Sequence, residues 1–560
     1  MTRSIIDPIT RIEGHLRIEM EVKSGVVEDA WVSGGCFRGM ELVVQDRTPA
    51  DAAQIVQRIC GVCPVSHSHA STIAGEKAMG ITISHNARLI RNMLEGAQFL
   101  HSHILWLYNL AALDYVNPLN ALTAKPEDAY SLARELGTST FSDYALLSNR
   151  LTKFAKNGQL SIFSGNWFGC EGGKAYKFTP AADLLLTSHY LEALTMQSKA
   201  SEISGLLGGK MPHVMTITPG GTSFVPTAQK LDDLKSLISE LKTWVEATVI
   251  QDTIALAKFY PDVLKFGKGC GRYISWGVFE GADWPYGNDY TKQMANRYIP
   301  SGVINEKLEL SDPVESKITE YMGHSWYKGD KTYESPYFVT EPEFTEYYKE
   351  GTETVAERYT WVKCPQYDGK PYEAGGLSRV LAGYLRGNKT IVASVNNLLA
   401  ATGLKLTDVQ STLGRAAVRQ IETVYIANLM EEWCDELIEA LAGGDSSYFV
   451  EPSTKTGSGT GFWEAPRGAL YHSEKVTNGK IDGYQIIIPS TWNLAPHNEK
   501  GEYGPLEQAL IGSPVEDIEM PINALRTVHS FDPCTACAVH VTEPATGKSF
   551  QTVTNPWGVK

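Results

Sequence analysis

Two pairs of cysteines stand near opposite ends of the chain, Cys60/Cys63 and Cys534/Cys537, each pair separated by two residues. That spacing lets both thiolates of a pair turn toward one ion. Four thiolates together make a soft, strongly donating site suited to zinc, iron or nickel rather than magnesium or calcium. A structural four-cysteine zinc site is the plain reading, but zinc ribbons usually separate their pairs by about 15–20 residues. Here nearly the whole chain intervenes, so the ends of a large folded protein must converge on the ion. A thioredoxin-like redox pair is the weaker alternative, since each pair needs its own strand-to-helix setting and neither flank supplies one clearly.

The other five cysteines, Cys36, Cys170, Cys270, Cys364 and Cys434, stand far apart and form no disulfide framework. At 560 residues, 43% hydrophobic and 20% charged, the chain can bury a large core and has the composition of a soluble globular protein. Its net charge of −14 disfavours nucleic acid as a partner and offers no polybasic anchor for anionic lipid. The start, Met1 to Pro8, lacks the basic and apolar regions of a secretory signal. No stretch reaches the roughly 20 apolar residues of a membrane span, so no direct membrane span is expected.

Four long helices are predicted to position the site, at 84–117, 180–208, 227–260 and 406–443, from apolar residues recurring at three and four. At about 1.5 Å per residue they are roughly 40–55 Å long. Pro118 closes the first, and Gly443-Gly444 caps the last. Helices of similar length bury their faces in a bundle, so the fold class expected is mainly α with flanking α/β elements around a long-helix core. Flanking strands are predicted at 15–22, 26–33, 211–217 and 484–489. Residues 262–375, dense in Tyr, Trp, Gly and Pro, read as an irregular elaboration packed on the bundle. With no linker or internal repeat, residues 1–540 are expected to form one interlocked unit.

The flanks of the cysteines are more specific. In order they are Asp7-Pro8-Ile9-Thr10-Arg11-Ile12-Glu13-Gly14-His15, Phe37-Arg38-Gly39-Met40-Glu41, the Arg-x-Cys-Gly-x-Cys block at 58–63, Ala465-Pro466-Arg467-Gly468 with Pro489-Ser490-Thr491-Trp492-Asn493, and the block at 532–540. Carrying this ordered set, the chain closely resembles the large subunit of nickel-iron hydrogenases over essentially its whole length. The resemblance implies a nickel-iron centre in which nickel takes all four thiolates while Cys63 and Cys537 also bridge to an iron carrying cyanide and carbon monoxide. It implies reversible, heterolytic cleavage of H2 into protons and electrons, in the uptake direction.

Splitting H2 leaves a proton that needs a base within hydrogen-bond reach. The resemblance gives that task to Cys534, with Glu13 next; alone, Glu13 reads as a salt-bridge partner of Arg11 or Arg17. Arg467, after Pro466, is similar to the family's guanidinium over the metals, where a planar, always-charged donor binds cyanide; alone it reads as a surface arginine. Ser490 is implied to bond the second cyanide, and Asp114 and Asp532 to steer Arg467. Otherwise Asp114 is a solvated acid and Asp532 a turn residue before Pro533. His67 is implied to donate a hydrogen bond to a bridging thiolate, against a packed core histidine. Glu41 and His540, with the backbone carbonyl at about Ile486, match the family's hard-cation site, usually magnesium.

The resemblance also implies a precursor, whose residues 541–560 are removed by a maturation endopeptidase after nickel-insertion chaperones have acted. After the four site cysteines, no set remains for an iron-sulfur relay, so iron-sulfur clusters belong to a partner small subunit. That subunit is also implied to carry the twin-arginine signal that takes a cytoplasmic precursor to the periplasm or outer face of the cytoplasmic membrane. A bidirectional or hydrogen-sensing relative, the related quinone-reductase subunit of respiratory complexes, and a zinc-stabilised scaffold are the competing readings. The first is disfavoured by length and tail, and the second by the presence of all four cysteines.

Overall fold

Each of the four long helices starts at a hydroxyl cap. In the computed structural model, which describes residues 2–138, 141–163, 175–281, 289–329 and 331–535, Ser84, Thr179, Thr227 and Ser411 each accept a hydrogen bond from a backbone N–H in the first turn. Such a cap satisfies one of the orphan donors of a helix start and stabilises it by about 1 kcal/mol. The helices run His85–Ile104, Pro180–Gly208, Ala228–Phe259 and Thr412–Ala442. The last packs on the first and third, and together they bury the main core, which includes Cys60, Cys63 and Cys534.

The boundaries depart from the predicted ones in two places. The first helix does not run to 117: from Leu105 to Ala111 it widens into a π-helix, then tightens into a 3-10 turn that ends at Asp114. Periodicity at three and four does not register one wide turn, a feature common at functional sites. The last helix starts at Thr412, because Leu406–Val409 is a separate 3-10 turn ahead of the Ser411 cap. Its end matches the Gly-Gly signal, with Gly444 left-handed at φ 82°.

An antiparallel sheet of Thr2–Ile6, Leu16–Lys23 and Val26–Gly34 flanks the bundle, and the loop between its first two strands carries Glu13. The predicted strand at 211–217 is reduced to the pair Ile217–Thr218, since Pro212 has no N–H for a ladder and His213 is left-handed. The strand predicted at 484–489 is Lys480–Ile487, and Pro489 opens a short helix. Residues 262–375 are more ordered than their composition suggests. They contribute two small sheets, one of Ile318–Tyr321, Thr332–Glu334 and Cys364–Tyr367, the other of Tyr273–Ser275, Gly302–Ile304, Leu310–Ser311 and Glu373–Ala374.

A hairpin absent from the predicted elements matters most for the site. Gly457–Ala465 and Gly468–Thr477 pair antiparallel around the two-residue turn Pro466-Arg467, and Lys480–Ile487 adds a third strand. The first strand lies against the Pro64–Ala78 helix, with Gly457, Gly459 and Gly461 facing it. A Cβ on these glycines would stand 2.3, 2.1 and 1.9 Å from the carbonyl oxygens of Ala78, Ala74 and Ala70. Only glycine lets the two backbones approach this closely. Among the described residues, no helix is long and apolar enough to cross a membrane.

Candidate metal centre

Cys60 follows the 3-10 turn Val56–Ile59, and Cys63 caps the Pro64–Ala78 helix with Pro64 at its first position. There a proline forfeits no intrahelical bond. The Cys60 Sγ accepts the N–H groups of Val62 at 3.2 Å and Cys63 at 3.3 Å, an arrangement that favours its thiolate. From the other end of the chain, the Ile522–Ser530 helix stops, Asp532 turns the backbone at φ 51°, and Pro533 delivers Cys534. Its Sγ lies 3.4 Å from that of Cys60. The sulfurs of Cys60, Cys63 and Cys534 all lie within 4.8 Å of one another, and all three residues are buried. Cys537, His540 and residues 541–560 lie outside the described residues.

Glu13 reaches the same point through its backbone. It forms a parallel bridge with Cys534, and its carbonyl accepts the Thr535 N–H at 2.7 Å and the Thr535 hydroxyl at 3.0 Å. Its Oε2 accepts the Cys534 Sγ–H at 3.2 Å. The cations of the plain salt-bridge reading are engaged with other acids: Arg11 with Asp114 at 2.5 Å, and Arg17 with Asp7 and Glu19, each at 3.0 Å.

Arg467 is no surface arginine. It sits at the hairpin tip, 2% exposed, with Nε donating to the Asp532 carbonyl at 3.0 Å and Nη2 to the Asp532 carboxylate at 2.9 Å. Burial alone would lower its pKa, but Asp532 and the thiols of Cys534, Cys63 and Cys60 outweigh it and hold the guanidinium charged. Nη1 is buried with no hydrogen-bond partner among the described residues. Asp532 also accepts from Arg419 at 3.0 Å. Asp114 is fully buried rather than solvated, and its two carboxylate oxygens accept from Arg11 and from His529 at 2.6 Å. Burial would raise its pKa, but Arg11 and His529 outweigh that and hold it well below the carboxylate range.

Ser490, in the short Pro489–Asn493 helix, accepts the Cys534 N–H at 3.0 Å and keeps its own hydroxyl hydrogen. His67 is fully buried, and its Nε2 has no partner among the described residues. Burial, partly opposed by the Cys60 thiol, pushes its pKa down to about 4. Glu41 accepts the Ile486 N–H at 2.8 Å and the Thr340 hydroxyl. Ile486 pairs with His472 across the sheet, and within a strand a residue's N–H and C=O leave on the same side. The Ile486 carbonyl therefore points out of the sheet edge on which Glu41 sits.

Sequence reasoning missed the side chains that hold this assembly. Arg379, fully buried in the Gly376–Leu385 helix, donates to the carbonyls of Ala465 at 2.9 Å and Pro466 at 2.8 Å, and pairs with Glu422 and Glu464. Arg419 donates to the Pro466 carbonyl at 3.0 Å. Lys363 stands 3.8 Å from Glu41 and 3.7 Å from Glu320. Gln98 accepts the Val65 N–H at 2.6 Å and so fixes the first turn after Cys63. A usable signal existed for two of them: Arg419 and Glu422 interrupt the apolar face of a long helix, where an unpaired charge is costly.

Residues 38–540 match the family described as nickel-dependent hydrogenase, and residues 4–33 match one described as HoxL-like. The chain is 36% identical to the hydrogenase-2 large chain of Escherichia coli K12, over 97% of each protein. It is 37% identical to the uptake hydrogenase large subunit of Bradyrhizobium diazoefficiens, over 97% of this chain and 96% of that one. Among solved structures it is similar to the Ni-Fe-Se hydrogenase from D. vulgaris Hildenborough, with TM-score 0.78, 32% identity, and coverage of 96% of this chain and 100% of that chain. The [NiFeSe]-hydrogenase of Dm. baculatum gives TM-score 0.75 at 33% identity, covering 96% and 100%.

Proposed function

The chain belongs to the nickel-dependent hydrogenase family as a large subunit, and from that premise we propose how its residues divide the cleavage of H2. The observation that carries the reading is the convergence of buried sulfurs from both chain ends beneath a buried guanidinium and beside one carboxylate. The donor set fits a soft metal centre: three sulfurs lie within reach of one ion, and the buried Nη1 of Arg467, without a partner among the described residues, is left for a ligand of that centre. Cys60, Cys63, Cys534 and Cys537 would hold the nickel, and Cys63 and Cys537 would also serve the iron with its cyanide and carbon monoxide. When bound, this centre supplies the redox chemistry by which H2 yields two electrons and two protons.

The protein's own part is protonic and electrostatic. Cys534 Sγ takes the first proton and passes it to Glu13 Oε2, 3.2 Å away. Arg467, fixed by Asp532 on one side and by the hairpin tip on the other, would keep a positive charge beside the bound centre without reorganising. The Ser490 hydroxyl, anchored by the Cys534 N–H, would donate to one cyanide. His67 would donate to one of the shared thiolates and weaken its electron donation. Glu41, the Ile486 carbonyl and His540 would hold a hard cation such as magnesium.

Hydrogenase large subunits pair with a small subunit, and here that partner carries the iron-sulfur clusters and the export signal, which puts the working complex in the periplasm or on the outer face of the cytoplasmic membrane. Residues 1–540 act as one unit. Residues 541–560 are removed by an endopeptidase once chaperones have delivered nickel, in keeping with a family match that stops at residue 540. The purified complex should contain nickel and iron in comparable amounts and show infrared bands of iron-bound cyanide and carbon monoxide. Zinc without such bands would overturn the reading, and an intact mass that includes residues 541–560 in the active complex would overturn the cleavage.

A further inference from the structure

Beneath the Pro64–Ala78 helix, three fully buried ring side chains lie in a row. His67 Nδ1 is 3.3 Å from His472 Nε2, and His472 Nδ1 is 2.8 Å from the Tyr484 hydroxyl. His472 and Tyr484 come from neighbouring strands of the three-stranded sheet, and nothing in the chemistry described so far uses either.

A neutral imidazole carries one N–H and one lone pair, on its two different nitrogens. Two neutral imidazoles in contact therefore cannot choose their tautomers independently. Both rings are fully buried, and the row bonds neither to a carboxylate, so each is carried neutral. The row then has two polarities. In one, Tyr484 donates to His472 Nδ1, His472 donates from Nε2 to His67 Nδ1, and His67 presents an N–H at Nε2. In the other every link reverses, and His67 presents a bare lone pair. Both ends favour the first. A buried phenol must place its hydrogen on an acceptor; Ser71 can donate its own hydroxyl to Tyr484, which leaves His472 Nδ1, at 2.8 Å, to accept. At the far end His67 lies on the helix that Cys63 caps, and toward thiolates an N–H is attracted where a lone pair is repelled.

We propose that Tyr484 and His472 are positioning residues that lock His67 into the Nε2–H tautomer, so that toward a thiolate it can only donate. This rests on the reading of His67 as a thiolate donor, and it adds what makes that donor obligatory. Donation draws electron density from the sulfur, leaves less for iron, and raises the potential of the centre.

The test uses the mature two-subunit complex, with infrared bands of the iron-bound diatomics and the nickel midpoint potential read by electron paramagnetic resonance. His67→Ala sets the full effect: carbon monoxide and cyanide bands moved to lower wavenumber and a lower potential. Tyr484→Phe, which removes one hydroxyl and keeps the packing, and His472→Leu should both move the bands and the potential in that direction. His472→Gln, whose amide still donates to His67 Nδ1, should restore both toward wild type. If His67→Ala shifts the bands while Tyr484→Phe and His472→Leu leave them in place, the row is refuted and the donor role of His67 stands. If His67→Ala shifts nothing, the donor role falls and the lock with it.

Discussion

Replacing Glu13 by glutamine tests the proton path with little structural disturbance. The carbonyl of residue 13 holds Thr535 through its backbone, so the bridge that brings Cys534 to Cys60 does not depend on the side chain. Glutamine fills the same volume, and its amide can still meet the Cys534 sulfur, yet it cannot take up the proton. A positioned acid–base group contributes about 10²–10⁴-fold to a proton transfer, equivalent to about 3–5 kcal/mol of barrier. We expect metal content and infrared bands to be retained in Glu13→Gln, while hydrogen/deuterium exchange between H2 and water falls by about 10²–10⁴-fold. Glu13→Asp, which draws the carboxylate back by about 1.5 Å from a 3.2 Å contact, should fall between the two. Exchange at the wild-type rate in a fully loaded Glu13→Gln complex would refute Glu13 as the acceptor.

Other outcomes follow from the same contacts. Arg467→Lys keeps a charge but loses the paired donors to Asp532, and turnover should drop by about 10²-fold with nickel and iron still bound by assay. Glu422 is buried against Arg379 and His103; burial would raise its pKa, but Arg379 outweighs it and holds the value at about 2. A depressed folded value gives stability that is present above the unfolded pKa of 4.5 and is lost as pH falls through about 2. In Glu422→Gln the urea midpoint should therefore be lower at neutral pH and show less dependence on pH between these values, the linked part being on the order of 3 kcal/mol at most. A midpoint that keeps the wild-type acid dependence would exclude the pair. Gly461→Ala drives a Cβ to 1.9 Å from the Ala70 carbonyl and should cost at least about 1–3 kcal/mol. Gly205→Ala, which meets nothing within 4 Å in the last turn of the Pro180–Gly208 helix, should stabilise by about 0.4–1 kcal/mol, both read as thermal midpoints.

The four long helices were legible because their apolar faces repeat over many turns, and three of their starts are written locally, in Ser84, Thr179 and Thr227, while the Ser411 start was hidden by the 3-10 turn ahead of it. The cysteine convergence was legible from spacing alone, since two pairs so far apart have few other uses. What escaped was set by distant partners. The partners of Asp114, Arg11 and His529, lie about 100 and 400 residues away in sequence and could not be read from its own segment. The Gly457–Ala465 strand lacked the alternation of a half-buried strand because it is buried against a helix and needs glycine where others carry side chains. Arg379 gave no signal within its own segment, because its partners come from the Thr412–Ala442 helix and from the hairpin.

That glycine edge also works as a ruler. Two residues of strand advance about 6.8 Å, and four residues of helix advance about 6 Å, so Gly457, Gly459 and Gly461 fall in step with Ala78, Ala74 and Ala70. The mismatch of roughly 0.8 Å per step keeps such a scale short, and this one has three marks. Because the strand leads through Ala465 into the turn that carries Arg467, and the helix begins beside Cys63, the marks fix the spacing between that turn and the start of the helix. The only alternative settings lie a whole step away, about 6 Å, far outside contact. The reach of the charge toward the cysteines is thus indexed in helical turns and does not drift with the looseness of a loop.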